Sequence, residues 1–232
     1  NTQEHYETVV QAGADLFVIR GASVSAEHIS TSHEPLNLKK FIYELDVPVM
    51  VGGVAGYTQA KHLMRTGAAG VLVGFGGGSA MTTRKGLGIS APMATAIADV
   101  AAARSDYLDE SGGRYVHVIA DGGLSRSGDL VKALALGADA VMIGAPLARA
   151  SEAPGQGWYW GNEAHSVDFP RGVRTPLGVV GTLEEVLYGP SHHVDGTSNI
   201  VGALKRAMAT CGYLDLKKFQ KAEMTLVPEY RG

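Results

Sequence analysis

The segment GFGGGSAMTTR, Gly74 to Arg84, follows directly on the apolar run AAGVLV and crowds glycines beside hydroxyl side chains and one methionine, Met81. Glycines at this density let backbone N–H groups converge on an anion, or let the chain pass close to a ligand. A methionine near the tip does neither. A second segment, ADGGLSRSGDLVKALALGADAVMIG (Ala120 to Gly144), carries complementary chemistry. Asp121, at the end of an apolar run, is placed to accept from a sugar diol. Gly122 and Gly123 expose N–H groups, a helix starting near Ser127 adds its positive N-terminal end, and the next apolar run ends at Gly144 with an accessible backbone. The competing reading is that these glycines only make tight turns.

These residues need elements to hold them. Five short, nearly continuous apolar runs read as strands: Asp15 to Arg20, Val47 to Val51, Gly70 to Val73, Val116 to Ala120 and Ala140 to Ile143. Continuous rather than alternating apolar character is how strands buried on both faces read, so the sheet is expected to be parallel and covered by helices. Helical patterns lie between them: YTQAKHLMRTG stopping at Gly67, PMATAIADVAAARSDYLDE, and SGDLVKALALG with Ser127 as N-cap and Gly137 as stop. Every polar, glycine-rich segment follows a strand. Chemistry gathered at the C-terminal ends of successive strands is the TIM-barrel arrangement, and glycine loops after two neighbouring final strands form its usual phosphate site.

The fold expected is therefore α/β, a (β/α)8 TIM barrel of which this chain carries the last five strands, with the first strands upstream of residue 1. Residues 1–232 are read as the C-terminal part of one barrel domain. A loop excursion, rich in Gly, Pro, His and Trp, crosses the active face at about 149–200. Helices capped by Asn199 and Asp215 then close the chain.

Composition narrows the function. A formal net charge of −3 gives no basic field for nucleic acid. No apolar run reaches the ~18 to 20 residues of a membrane span, and no signal peptide is visible, so a cytoplasmic protein is expected. The single cysteine, Cys211, excludes an intrachain disulfide framework and any Cys-based zinc cluster. The adjacent His192 and His193 project in different directions and read as a solvated loop.

On GGSAMTTR, on ADGGLSRSGDLVKALALGADAVMIGAPLA and on EAPG at Glu152 to Gly155, in that order and spacing, the sequence resembles the IMP dehydrogenase/GMP reductase family. GRYVHVIADGG, PRGVR and the closing VGALKRAMATCGY make it most similar to the dehydrogenase-related branch. The resemblance implies a purine nucleoside 5′-monophosphate (IMP, XMP or GMP) with its phosphate on Ser79, Gly122, Gly123, Met142 and Gly144 and its ribose on Asp121. It implies NAD as cofactor, or NADPH for a reductase, and a K+ ion on carbonyls of Gly76 and Gly78. It also implies a homo-oligomer of the family's tetrameric kind, and a purine contact at Val179 to Glu185. Regulatory CBS-type modules would lie upstream; no stretch of this chain looks like one.

The departures are equally informative. Met81 stands where the enzymes of the family carry the cysteine whose thiolate attacks purine C2. A thioether has no ionisable proton and cannot form and release that adduct. Thr83 remains where the family has a proton-relaying hydroxyl, although such a threonine also serves as a turn or cap residue, and Asp195 falls near an acidic partner position. Arg20 and Gly21 replace an acidic residue and serines that contact the nicotinamide ribose, Leu177 replaces an aromatic purine contact, and the excursion lacks the Arg-Tyr pair that activates water. Arg20 is open to two readings, a ligand contact or a structural charge. An oxidoreductase of the IMP to XMP type or a weakly active relative, a GMP reductase-like enzyme, and a non-catalytic nucleotide-binding regulator all remain open.

Overall fold

A computed structural model of the chain describes residues 2–21, 36–161, 174–225 and 227. The elements run α1 (Thr2–Gln11), β1 (Phe17–Arg20), α2 (Leu38–Tyr43), β2 (Val49–Val54), α3 (Tyr57–Arg65), β3 (Gly70–Val73), α4 (Thr83–Leu87) and α5 (Met93–Glu110). They continue with β4 (His117–Asp121), α6 (Ser127–Ala135), β5 (Ala140–Met142), α7 (Ala145–Ala148), β6 (Trp158–Trp160), β7 (Arg174–Pro176), α8 (Leu183–Leu187), α9 (Ile200–Thr210) and α10 (Leu216–Phe219).

All five predicted strands form, in one parallel sheet of order β1-β2-β3-β4-β5. A doubly wound sheet reverses its strand order at a switch point. This sheet never does, so each crossover steps to the next strand in the same sense, as in a barrel. The central strands are fully covered: Val49, Val51, Val54, Val71, Leu72, Val73, Val118 and Ala120 are all buried. Helices α3 and α5 pack against them through Leu63, Met64, Ile97 and Val100, with a second contribution from Leu130 and Ala133 of α6. Strand β2 runs three residues further than its apolar run suggested, through Gly52 and Gly53 to Val54, with a register irregularity there against β3.

Helix stops at Gly67 and Gly137 hold, both with positive φ (101° and 108°). Asn199 and Asp215 cap as expected, their side chains accepting from the N–H groups of Gly202 and Lys218. Ser127 does not cap α6. Arg126 is the N-cap, in extended conformation and without a side-chain cap bond, while Ser127 is the first helical residue and is buried. The reason is tertiary: the Ser127 N–H donates to the Gly196 carbonyl at 2.8 Å, so a distant loop holds Ser127 in the first turn, one residue past the cap, and satisfies one of that turn's orphan donors.

The 149–200 excursion contains structure that its composition did not suggest. Strands β6 and β7 form an antiparallel pair, and α8 opens on a capping box between Thr182 and Glu185. Cys211 is the exposed C-cap of α9.

At the opposite pole from the glycine loops, Asp139 ties the barrel base to the C-terminal helices. Its carboxylate, 7% exposed, accepts from Arg104 Nη1 (2.7 Å), Tyr115 Oη (2.6 Å), the Val118 N–H (2.9 Å), Lys217 Nζ (2.6 Å) and Gln220 Nε2 (3.2 Å).

Candidate active site

The C-terminal ends of β1, β3, β4 and β5, with the β6 hairpin, enclose a cleft of about 470 Å³. Its walls include Gly76, Gly78, Ser79, Met81, Thr83, Asp121, Gly122, Gly123, Met142 and Gly144, so the residues singled out for the phosphate, the ribose, the nucleophile position and the cation line one cavity, whereas the purine-contact segment at Val179 to Glu185 does not. Three stretches distant in sequence meet because each follows a parallel strand at the same end of the sheet.

The glycine loop after β3 lies directly on the loop after β4. A Cβ on Gly123 would stand 2.9 Å from the Gly77 carbonyl oxygen, and Gly123 itself has φ +74°. Any side chain there would separate the two loops, which is what the glycine crowding in GFGGGS prevents. Beyond it, the Met81 N–H donates to the Gly78 carbonyl at 3.0 Å, so a tight turn sets the direction of residue 81. Thr83 begins α4, is buried and lines the cleft. Ser79 is exposed to the cleft.

The fourth strand delivers Asp121 as its last residue, 6% exposed, and Arg20 at the end of β1 donates through Nε to Asp121 Oδ2 at 2.6 Å. The Asp121 carboxylate is thus ion-paired. Tyr159 and Trp160, which the sequence reading did not single out, also line the cleft. A Cβ on Gly144 would lie 2.6 Å from Tyr159 Oη, so the phenol sits over the backbone after β5. Gly144→Ala is therefore expected to swing Tyr159 aside, because the clash is with the free end of a side chain, and to leave folding nearly unchanged. We expect roughly tenfold weaker binding of a phosphorylated ligand, the scale of one or two charge-assisted hydrogen bonds. Calorimetric titration against the wild type checks it.

Other sequence-predicted positions fall elsewhere. Asp195 is held by Thr197, whose N–H (3.1 Å) and Oγ1 (2.7 Å) both donate to it, in the loop that packs on the start of α6. Leu177 donates its N–H to Gly157 at 2.8 Å behind the hairpin and is not among the lining residues. In Val179 to Glu185, the Val180 N–H donates to the Arg149 carbonyl, and Glu185 serves the capping box. Glu152 of EAPG accepts the Leu183 N–H at 2.8 Å, and its own backbone N–H together with that of Leu183 holds the carboxyl below the usual carboxylate range.

Gly76 and Gly78, the residues whose carbonyls the resemblance assigns to a monovalent cation, both line the cleft, and the Gly78 carbonyl also accepts the Met81 N–H. Among the described residues no cluster of His, Cys, Asp or Glu could hold a metal ion, and no helix is long and apolar enough to cross a membrane.

Comparison with known proteins agrees with this geometry. A protein of Mycolicibacterium smegmatis named an uncharacterized oxidoreductase is 57% identical over 229 residues, covering 97% of this chain and 61% of the relative. Inosine-5′-monophosphate dehydrogenase of Thermoplasma acidophilum is 43% identical over 148 residues, 64% of this chain and 28% of that enzyme. The crystal structure of an IMP dehydrogenase/GMP reductase-like protein from Corynebacterium glutamicum superposes with a TM-score of 0.87 at 56% identity, over 96% of this chain and 58% of that one. The chain thus spans about 60% of the length of the most similar of these relatives, and its five-stranded sheet is part of a TIM barrel. A family model described as the IMP dehydrogenase / GMP reductase domain matches residues 1–172, and with these relatives it shows that the chain belongs to the IMP dehydrogenase/GMP reductase family.

Proposed function

We propose that the cleft binds a purine nucleoside 5′-monophosphate, as part of an oxidoreductase whose chemistry does not pass through a covalent adduct at residue 81. The observation that carries the reading is the convergence of Ser79, Gly122, Gly123, Gly144 and the Tyr159 hydroxyl on one cavity that also contains Asp121. Backbone N–H groups and hydroxyls suit a phosphate, and a buried carboxylate at a strand end suits a ribose diol. Such a site reads the phosphate and sugar and leaves the base toward Met81 and Thr83.

Met81 then favours one direction of chemistry at purine C2. Oxidation of IMP requires a nucleophile to add to C2 before hydride can depart, and a thioether supplies none. Although the enzymes of the family carry that cysteine in both directions, reduction of GMP also balances without it: hydride adds to C2, and the amino group takes up a proton and leaves as ammonia. Thr83, buried and in the cleft lining, is the hydroxyl we assign to move a proton there. A nicotinamide dinucleotide supplies or takes the hydride when bound. Gly21, which has no side chain, and the apolar Met81 line the same cleft and fit a planar ring.

Two readouts test this reading. GMP, IMP or XMP at 100 times its dissociation constant is expected to stabilise the protein by about 2.7 kcal/mol in thermal denaturation. No shift with any of the three sinks the nucleotide assignment. In steady-state assays, NADPH oxidation with GMP is expected and NAD reduction with IMP is not. Turnover of IMP by the wild type would show that another group replaces the missing thiolate.

A further inference from the structure

The Arg20–Asp121 pair is not accounted for by nucleotide binding alone. Arg20 ends β1 and Asp121 ends β4, 101 residues apart, with β2 and β3 between them in the sheet. The guanidinium therefore crosses the mouth of the curved sheet. At its own level Arg20 pairs in the register with Gly52 of β2, so the adjacent strand brings no side chain there. Arg20 remains 40% exposed while the carboxylate it grips is 6% exposed, and both line the cleft. They are the two formally charged side chains among the described residues of that lining.

We infer that Arg20 is the positioning residue for the sugar-binding carboxylate, an inference that rests on the nucleotide reading above. With Oδ2 engaged by Arg20 Nε at 2.6 Å, the carboxylate plane is set and Oδ1 is the oxygen left to accept from a ribose hydroxyl. The guanidinium also cancels the one negative charge of the lining. Gly122 and Gly123 follow Asp121 directly, so an unpaired carboxylate would stand close to a dianionic phosphate bound there and repel it. Arg20 thus does two things for the same ligand: it fixes the acceptor of the diol and removes the repulsion of the phosphate.

A purely structural ion pair would affect all ligands alike, whereas a positioning residue acts through the diol. The probes are GMP, 2′-deoxy-GMP and 2′,3′-dideoxy-GMP, titrated calorimetrically into the wild type, Arg20→Met and Arg20→Lys. The wild type is expected to prefer GMP over the dideoxy analogue by roughly tenfold or more, the scale of hydrogen bonds to a charged group. Arg20→Met is expected to narrow that preference to within about threefold and to weaken all three ligands through the uncancelled charge. Arg20→Lys, which keeps the charge but not the fixed Nε–H geometry, is expected to recover the affinity common to all three more fully than the diol preference. Melting curves establish that each variant is folded, and Arg20→Lys carries the test if Arg20→Met is not. An undiminished diol preference in folded Arg20→Met, or in folded Arg20→Lys where that variant carries the test, overturns the role of Arg20 and leaves the nucleotide reading standing. Absence of GMP binding by the wild type overturns both.

Discussion

Replacing Asp139 by alanine is expected to destabilise the protein by about 3 to 5 kcal/mol, the range for breaking a buried ion pair from one side. The cost comes from what stays behind. Arg104, with its side chain 14% exposed, would keep only the Gly137 carbonyl (3.1 Å) for its Nη1 and so hold a charge without a counter-ion. Lys217 is 65% exposed and simply returns to water, so its share is small. The Val118 N–H loses its 2.9 Å acceptor at the foot of β4. Gln220 keeps the Ala138 carbonyl at 2.6 Å, so α10 is loosened rather than released. Thermal unfolding of Asp139→Ala beside wild type should show a midpoint lower by on the order of 10 °C for a chain of this size. A change under 1 kcal/mol would mean that the network contributes little beyond its desolvation cost.

The same network sets an acid limit. Burial alone would raise the Asp139 carboxyl, but donation from Lys217, Tyr115 and the Val118 N–H, with the Arg104 charge, outweighs it and holds the group well below the usual carboxylate range. Glu110, gripped on the surface by Arg65 and Lys61, is lowered to about 2. A carboxylate with a depressed folded-state pKa contributes its stabilisation fully above its unfolded value, about 3.9 for Asp and 4.3 for Glu. That contribution is lost as pH falls through the folded value. Denaturant midpoints measured from pH 6 downward should therefore be flat to about pH 5 and then fall, with a shallower fall in Asp139→Asn.

The second large effect is a gain. Met81→Cys is expected to introduce a thiol that reacts with an alkylating reagent and is protected from it by IMP, and to start NAD-dependent oxidation of IMP where the wild type has none. The backbone of residue 81 is set by the turn in which its N–H donates to Gly78, so a cysteine inherits the Cα–Cβ direction of the methionine. A thiolate can then add to C2 and leave again, which a thioether cannot do. The Arg-Tyr pair that the resemblance assigns to water activation is absent, so the covalent product should accumulate. Rapid mixing is expected to show a burst of about one equivalent of NADH per site followed by slow turnover. A protected, reactive thiol without any burst would show that residue 81 is close to the nucleotide but that hydride has no acceptor aligned with it.

The five strands, the parallel sheet and the glycine stops at Gly67 and Gly137 were legible because they depend on local pattern: continuous apolar runs for strands covered on both faces, and positive φ at helix ends. The cleft was legible for a related reason. In a barrel every strand end reaches the same face, so glycine and hydroxyl residues just after strands meet even without knowledge of the side-chain packing. The capping box at Thr182 was also written locally, as Thr-Leu-Glu-Glu, and was hidden only by the loop-like composition around it.

Other features were decided by contacts between segments that sequence spacing does not relate. Arg20 meets Asp121 across two intervening strands because the sheet curves. Tyr159 comes over Gly144 because β6 folds back on the strand ends, and Lys217 reaches Asp139 because the last helices return to the base of the barrel. Ser127 is held as the first helical residue, not the cap, by the Gly196 carbonyl for the same reason. Residue types by themselves pointed to the cleft proposed for a phosphate and a sugar, and determined that residue 81 cannot be a thiolate. Only the tertiary structure decided which charge faces Asp121, since an ion pair depends on distances of a few ångströms that the chain's order does not encode locally.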